Sequence, residues 1–208
     1  MTRISIIGLG TMARTLGVRA GGAGHDVQVI GRDAAKAAAL AADLGGTATA
    51  NVIGDAPTGD IVIVAVPHAV AASIVSDYGP TLAGKVVVDI SNPFDPAHTG
   101  LTTPRDSSAA QEIAAAAAPG TTVVKAFNTL FSGVLAAGET AGHPVDVFIA
   151  GDDPDAKATV SAFVTSLGLR PIDTGDLTFA HWLEGMGLVL LGQGIRRDDF
   201  SLAIKILG

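Results

Sequence analysis

Seven short apolar runs recur along the chain: Ile4–Ile7, Val27–Ile30, Ile61–Val66, Val86–Ile90, Thr122–Phe127, Val145–Ala150 and Leu169–Asp173. Most are continuous rather than alternating. Strands covered on both faces read that way, as in a parallel sheet between helical layers. Alanine-rich stretches of helical character separate them. Thr11–Ala23 carries Met12, Leu16 and Ala20 at helical spacing, and Ala34–Leu44 follows Asp33, a good N-cap. Ser107–Ala118 and Asp155–Leu167 follow the same scheme, the latter opened by Asp153-Pro154. This βαβαβ alternation predicts an α/β fold with a doubly wound, mostly parallel sheet. No low-complexity linker divides the chain, so residues 1–208 read as one domain. The stretch from about 176 to 208 reads as a small C-terminal extension, a helix and a short final segment closing over the sheet edge. Ser91–Arg105 holds three prolines and is the longest irregular stretch. Long loops at strand carboxyl ends in such sheets often line a site.

Composition narrows the classes. Hydrophobic residues are 48% and charged residues 16%, which excludes a disordered chain. Aromatics are 4%, so the core must come from Ala, Val, Leu and Ile. A net charge of −7 without any basic run argues against nucleic acid as a partner. Cysteine is absent, which excludes disulfides and thiolate metal sites and fits a cytoplasmic location. Met1-Thr2-Arg3 runs straight into the first strand, so no signal peptide is expected. Apolar runs such as Leu188–Leu191 are too short for a bilayer, so no membrane association is expected.

The chemistry begins at the first turn. Gly8-Leu9-Gly10-Thr11-Met12-Ala13 follows a strand and opens a helix. Gly8 permits the tight turn, Gly10 lets backbone approach a pyrophosphate, and Ala13 lets the helix pack close to its strand. That is the signature of a dinucleotide site in a Rossmann fold, with phosphate on the free amides of a helix N-terminus. NAD sites place an acidic residue at the end of the second strand, on the ribose hydroxyls. Here the sequence is Gly31-Arg32-Asp33. A small residue leaves room for a 2′-phosphate, Arg32 can clamp it, and Lys36 adds charge one helical turn later, which together point to NADP(H). The competing reading makes Arg32 a solvated arginine and gives the ribose to Asp33.

Other strand ends carry candidates too. Val66-Pro67-His68 follows the third run and would face the nicotinamide-side ribose, with His68 a possible contact or simply solvated. Asn92 and Asn128, after the fourth and fifth runs, are placed to hold the carboxamide or a second ring. Asn92-Pro93 also reads as a turn, and Lys125 as a structural ion pair with Asp89 rather than a general base. The five histidines are scattered without metal-ligand spacing, and no nucleophile elbow is present, so no catalytic side chain and no metal site are assigned. Hydride transfer needs neither, because the protein chiefly orients two rings.

Taken in order, GLGTMA, GRD, LAGKVVVDISNP, VVKAFNT, GDDPDAK, GLRPIDTGDL and LAIKIL resemble the F420-dependent NADP reductase family, which includes the reductase domain of the STEAP metalloreductases. The resemblance spans nearly the whole chain. It implies a homodimer of Rossmann subunits, with NADPH along the carboxyl edge and coenzyme F420 or a flavin stacked on the nicotinamide. Carried over, Thr11 and Met12 would meet the pyrophosphate, Arg32 and Lys36 the 2′-phosphate, and Val66 and Pro67 the nicotinamide ribose. Asn92, Asn128 and Leu130 would line the second ring's pocket. KAFN matches the STEAP-like branch, since archaeal F420 reductases tend to carry histidine in place of Asn128. The serine common at the second strand end is Gly31, which removes one phosphate hydrogen bond. The implied activity is hydride transfer between NADPH and F420. The alternatives are reduction of FMN, FAD or a metal ion, a small imine or carbonyl reductase, or a non-catalytic NADP sensor that binds a protein partner.

Overall fold

In a computed structural model, which describes residues 1–207, the chain alternates strands and helices as the apolar runs predict. In order these are β1 (Arg3–Ile7), α1 (Thr11–Gly22), β2 (Asp26–Gly31), α2 (Ala34–Leu44), β3 (Thr49–Val52), β4 (Ile61–Val64), α3 (His68–Tyr78) and β5 (Val86–Asp89). Then follow α4 (Ala109–Ala116), β6 (Thr122–Lys125), α5 (Ser132–Ala137), the small hairpin β7 (Glu139–Thr140) and β8 (His143–Pro144), β9 (Asp146–Gly151), α6 (Pro154–Ser166), β10 (Arg170–Gly175) and α7 (Ala180–Arg197).

Eight strands form one sheet in the order β10-β9-β6-β5-β4-β1-β2-β3. Strands β1 to β6 are parallel throughout. The chain reverses strand order between β1 and β4, and in such sheets ligands bind outside the carboxyl ends at that point. β9 pairs antiparallel with β6, while β10 runs parallel to β9, so the last two strands point against the other six.

The continuous apolar runs have a direct cause. In β4, Ile61 and Ile63 enter the core that includes Leu16, Leu40 and Phe163, while Val62 and Val64 enter a second core with Val75, Leu82 and Ile113. Both faces of the strand are covered, so neither set of alternating positions can be polar.

Several elements carry a weak sequence signal. β3 is an exposed edge strand, and α5 has six residues. α3 starts at His68 itself, one residue after Pro67, where the sequence suggests a loop. The stretch Ser91–Arg105 is partly ordered by a bridge between Phe94 and Leu101 and by Thr102 N–H donating to the Pro93 carbonyl at 2.7 Å.

The C-terminal segment after α7 folds back on its own chain. Asp146, whose side chain is fully buried, accepts from Arg170 Nε and Nη2 at 2.7 and 2.6 Å, from Lys205 Nζ at 2.8 Å and from Ile206 N–H at 2.8 Å. Burial alone would push this carboxyl up, but the Arg170 fork, Lys205 and the Ile206 amide together hold it well below the usual carboxylate range. A depressed acid contributes stability that is complete above its unfolded pKa, near 3.9, and is lost as pH falls below that value. Asp146→Asn should therefore cost about 1–3 kcal/mol at neutral pH in urea unfolding and much less near pH 3. An equal loss at both pH values would contradict this account of the anchor.

Candidate functional site

The carboxyl ends of β1, β2 and β4 meet at the first turn. Gly8 N–H donates to the Ile30 carbonyl at 2.8 Å, and Ala65 N–H to the Ile7 carbonyl at 2.8 Å. Gly8 adopts φ +131°, and a Cβ there would lie 2.1 Å from the Ala65 carbonyl oxygen. The turn is glycine because backbone from β4 closes over it. Gly10 differs. It sits at φ −78° as the N-cap of α1, and nothing lies within 4 Å of its missing Cβ. The space in front of it is open.

No side chain caps α1, and its first internal bond runs from Arg14 N–H to the Gly10 carbonyl at 3.0 Å. The amides before Arg14 are left for solvent or an anion. Thr11 is exposed and Met12 half-buried, whereas Ala13 is fully buried where the helix meets the sheet. The tight turn expected at Gly8 and the close packing expected at Ala13 are both present.

At the end of β2, Arg32 is exposed and takes part in no ion pair among the described residues, although Arg14 pairs with Asp43 at 2.6 Å. Asp33 caps α2, accepting from Lys36 N–H at 3.0 Å, and Lys36 Nζ stands 3.8 Å from its other oxygen. Asp33 is thus engaged, and Arg32 is the uncommitted charge. Gly31 differs from expectation. The space beside it holds the Leu9 side chain, so it offers a ligand backbone only.

Val66 lies half-buried and Pro67 exposed just after β4. His68 is turned away into a contact with α4, its Nε2 2.9 Å from Glu112 Oε2, so this nitrogen is committed within the chain. Asn92 and Asn128 do come together, but on each other. Asn92 Nδ2 donates to the Asn128 carbonyl at 2.8 Å, and Asn128 Nδ2 donates to Asn92 Oδ1 and to the Leu183 carbonyl, both at 3.0 Å. Leu130 is buried. Asn92 and Asn128 brace each other and α7, and Leu130 packs into the core. Gly187 lets the helix approach, since a Cβ there would be 3.1 Å from Asn92 Oδ1. Phe127, fully buried at φ +61°, is the strained residue that redirects the chain from β6 into Asn128.

Beneath this edge lies a feature that sequence reasoning found only in part. Asp89 and Lys125 are register partners on β5 and β6. Lys125 Nζ donates to Asp89 Oδ2 at 2.7 Å, to Glu184 Oε1 at 2.8 Å and to the Ser91 carbonyl at 2.6 Å, and all three charged side chains are fully buried. Glu184 comes from α7, and its other oxygen accepts from Ala109 N–H at 3.2 Å, at the start of α4. Burial pushes its carboxyl above the ordinary range, against the pull of Lys125. Nothing local in the sequence signals Glu184 beyond its being an acid within an otherwise apolar helical run. Ser91 Oγ, Asn128 Oδ1 and Thr129 Oγ1 are buried along the same edge without a partner. No cluster of metal-ligating side chains exists among the described residues, and none of their helices is long and apolar enough to cross a membrane.

Comparison with known proteins places these features in context. The family described as NADP oxidoreductase, coenzyme F420-dependent, matches residues 3–93. Metalloreductase STEAP3 of Rattus norvegicus is 35% identical over 189 residues, covering 91% of this chain but only 37% of that protein. The F420-dependent NADP reductase of Methanocaldococcus jannaschii is 31% identical over 158 residues, 73% of this chain and 69% of that one. A crystal structure from Arthrobacter sp. FB24, assigned as an F420-dependent NADP reductase, superposes with a TM-score of 0.89 at 27% identity over 100% of both chains.

Proposed function

The chain belongs to the coenzyme F420-dependent NADP oxidoreductase family, and on that premise we propose that it binds NADP(H) along the carboxyl edge and exchanges hydride with coenzyme F420. The observation that carries the reading is the pairing of an open, uncapped Gly10 amide cradle with an unpaired Arg32 at the next strand end. A dinucleotide with a 2′-phosphate presents anions to both.

Each residue has a defined part. Gly10, Thr11, Met12 and Ala13 offer amides to the diphosphate. Arg32, helped by Lys36, holds the 2′-phosphate by charge-assisted bonds. Val66 and Pro67 form the apolar wall at the nicotinamide end. Bound NADPH supplies the hydride, so the chain's task is to bind, orient and exclude water. A homodimer is supported by Trp182 and Val189, exposed and seven residues apart on one face of α7.

A second reading, reduction of a flavin or metal ion, is favoured by the 35% identity to STEAP3 over nearly the whole chain. One experiment separates the readings. NADPH and NADH are titrated by fluorescence, then NADPH oxidation is followed with F420, FMN, FAD and ferric citrate in turn. Turnover with F420 supports the first reading, and turnover with flavin or iron alone supports the second. Tight NADPH binding without turnover would make the protein a nucleotide sensor. Arg32→Ala should weaken NADPH by about 1–3 kcal/mol and leave NADH unchanged, and an unaltered NADPH affinity would remove Arg32's role.

A further inference from the structure

Gly31 ends β2 outside the left-handed region, so its backbone would accept any residue. What demands glycine there is a neighbour. A Cβ at position 31 would lie 2.3 Å from Leu9 Cδ1, 2.4 Å from Cγ and 2.9 Å from Cδ2. Leu9 is the middle residue of the Gly8–Gly10 turn. It is half-buried, and it packs against the core shared by α1 and the sheet. Leu9 thus fills the volume that a side chain at the end of β2 would occupy. In a dinucleotide fold, that side chain is the one able to reach the adenosine ribose.

We propose that Leu9 and Gly31 act as one specificity element. By occupying this volume, Leu9 bars any ribose-gripping carboxylate or hydroxyl at position 31 and leaves the choice between a 2′-phosphate and a free 2′-hydroxyl to Arg32. The inference rests on the NADP(H) reading. It goes beyond that reading by assigning a role to the turn residue, which the glycine signature treats as freely variable. Two consequences follow. Changing position 31 alone should not convert the nucleotide preference, because the new side chain must first displace Leu9 from its packing against the core. Removing the leucine side chain first should create the room.

Two measurements test it. The first needs no ligand. Gly31→Ser should lower the melting temperature by roughly 4 °C or more in the natural chain. In a Leu9→Ala background it should have little effect. Equal shifts in the two backgrounds would overturn the coupling. The second is the ratio of NADPH to NADH dissociation constants by fluorescence titration. Gly31→Asp alone should lose NADPH without gaining NADH. Leu9→Ala/Gly31→Asp should move the ratio towards NADH by roughly 100-fold, through a new ribose hydrogen bond and repulsion of the phosphate. A single Gly31→Asp that switches as fully as the double variant, or a double variant with an unchanged ratio, would overturn the proposal. A natural chain that binds neither nucleotide would instead defeat the NADP(H) reading, and with it the ribose role, while the melting-temperature coupling would still be read.

Discussion

Lys125→Met is expected to destabilise the protein by about 3–5 kcal/mol at pH 8, as removal of one member of a buried charge cluster does elsewhere. Lys125 spends all three ammonium protons, on Asp89, Glu184 and the Ser91 carbonyl, and no part of the cluster reaches solvent. With the ammonium intact the cluster carries a net charge of about −1; without it, two buried carboxylates face each other with only backbone amides to offset them. The sign of the pH dependence follows. Glu184 already titrates above the ordinary range because of burial, and loss of Lys125 raises it further. A folded-state acid with a raised pKa is penalised when ionised, and the penalty is relieved as pH falls through that raised value. Urea unfolding of the variant should thus show a smaller deficit at pH 5 than at pH 8. A loss below about 1 kcal/mol at both would mean that the cluster contributes little. Glu184→Gln should be milder, because Lys125 keeps Asp89 as a counter-ion.

The cluster also shows what the sequence could and could not reveal. The Asp89–Lys125 pair was legible because both residues end apolar runs that must lie side by side in a parallel sheet, and the register pairs them directly. Glu184 was not, because its partner is 59 residues away and its helix packs on the sheet by tertiary contact alone. The glycine turn was legible for the opposite reason. Its requirements are local, a tight turn followed by a helix start, and each appears in consecutive residues. Leu9 escaped notice because any residue fits the turn, and only its contact with Gly31 gives it a part. The two asparagines stand at the carboxyl edge, but they spend two hydrogen bonds on each other and one on α7, and the sequence holds no signal for where that helix would land. The sequence suggests a loop at His68, and its place at the start of α3 and its partner on α4 could only be seen in three dimensions.

Gly8→Ala and Gly10→Ala should fail in different ways, although the two glycines are a single residue apart. At Gly8 the backbone is at φ +131°, and the added methyl would stand 2.1 Å from the Ala65 oxygen and 2.8 Å from its carbonyl carbon. Both atoms belong to the chain leaving β4, whose Ala65 amide is itself tied to Ile7, so neither can yield without breaking the strand ends apart. Backbone strain and overpacking act together, and the expected loss is about 3–5 kcal/mol, seen as a lower urea midpoint with or without nucleotide. At Gly10 the backbone is ordinary and the methyl meets nothing, so stability in the absence of ligand should change by less than about 0.5 kcal/mol. The same methyl would occupy the opening through which a diphosphate reaches the amides of α1, and NADPH affinity should fall by at least 10-fold, about 1.4 kcal/mol. A Gly10→Ala protein of normal stability that binds NADPH as well as the natural chain would show that the nucleotide does not lie across this turn. A Gly8→Ala protein of normal stability would show that the Ala65 backbone moves freely, and that the first glycine is not there to admit it.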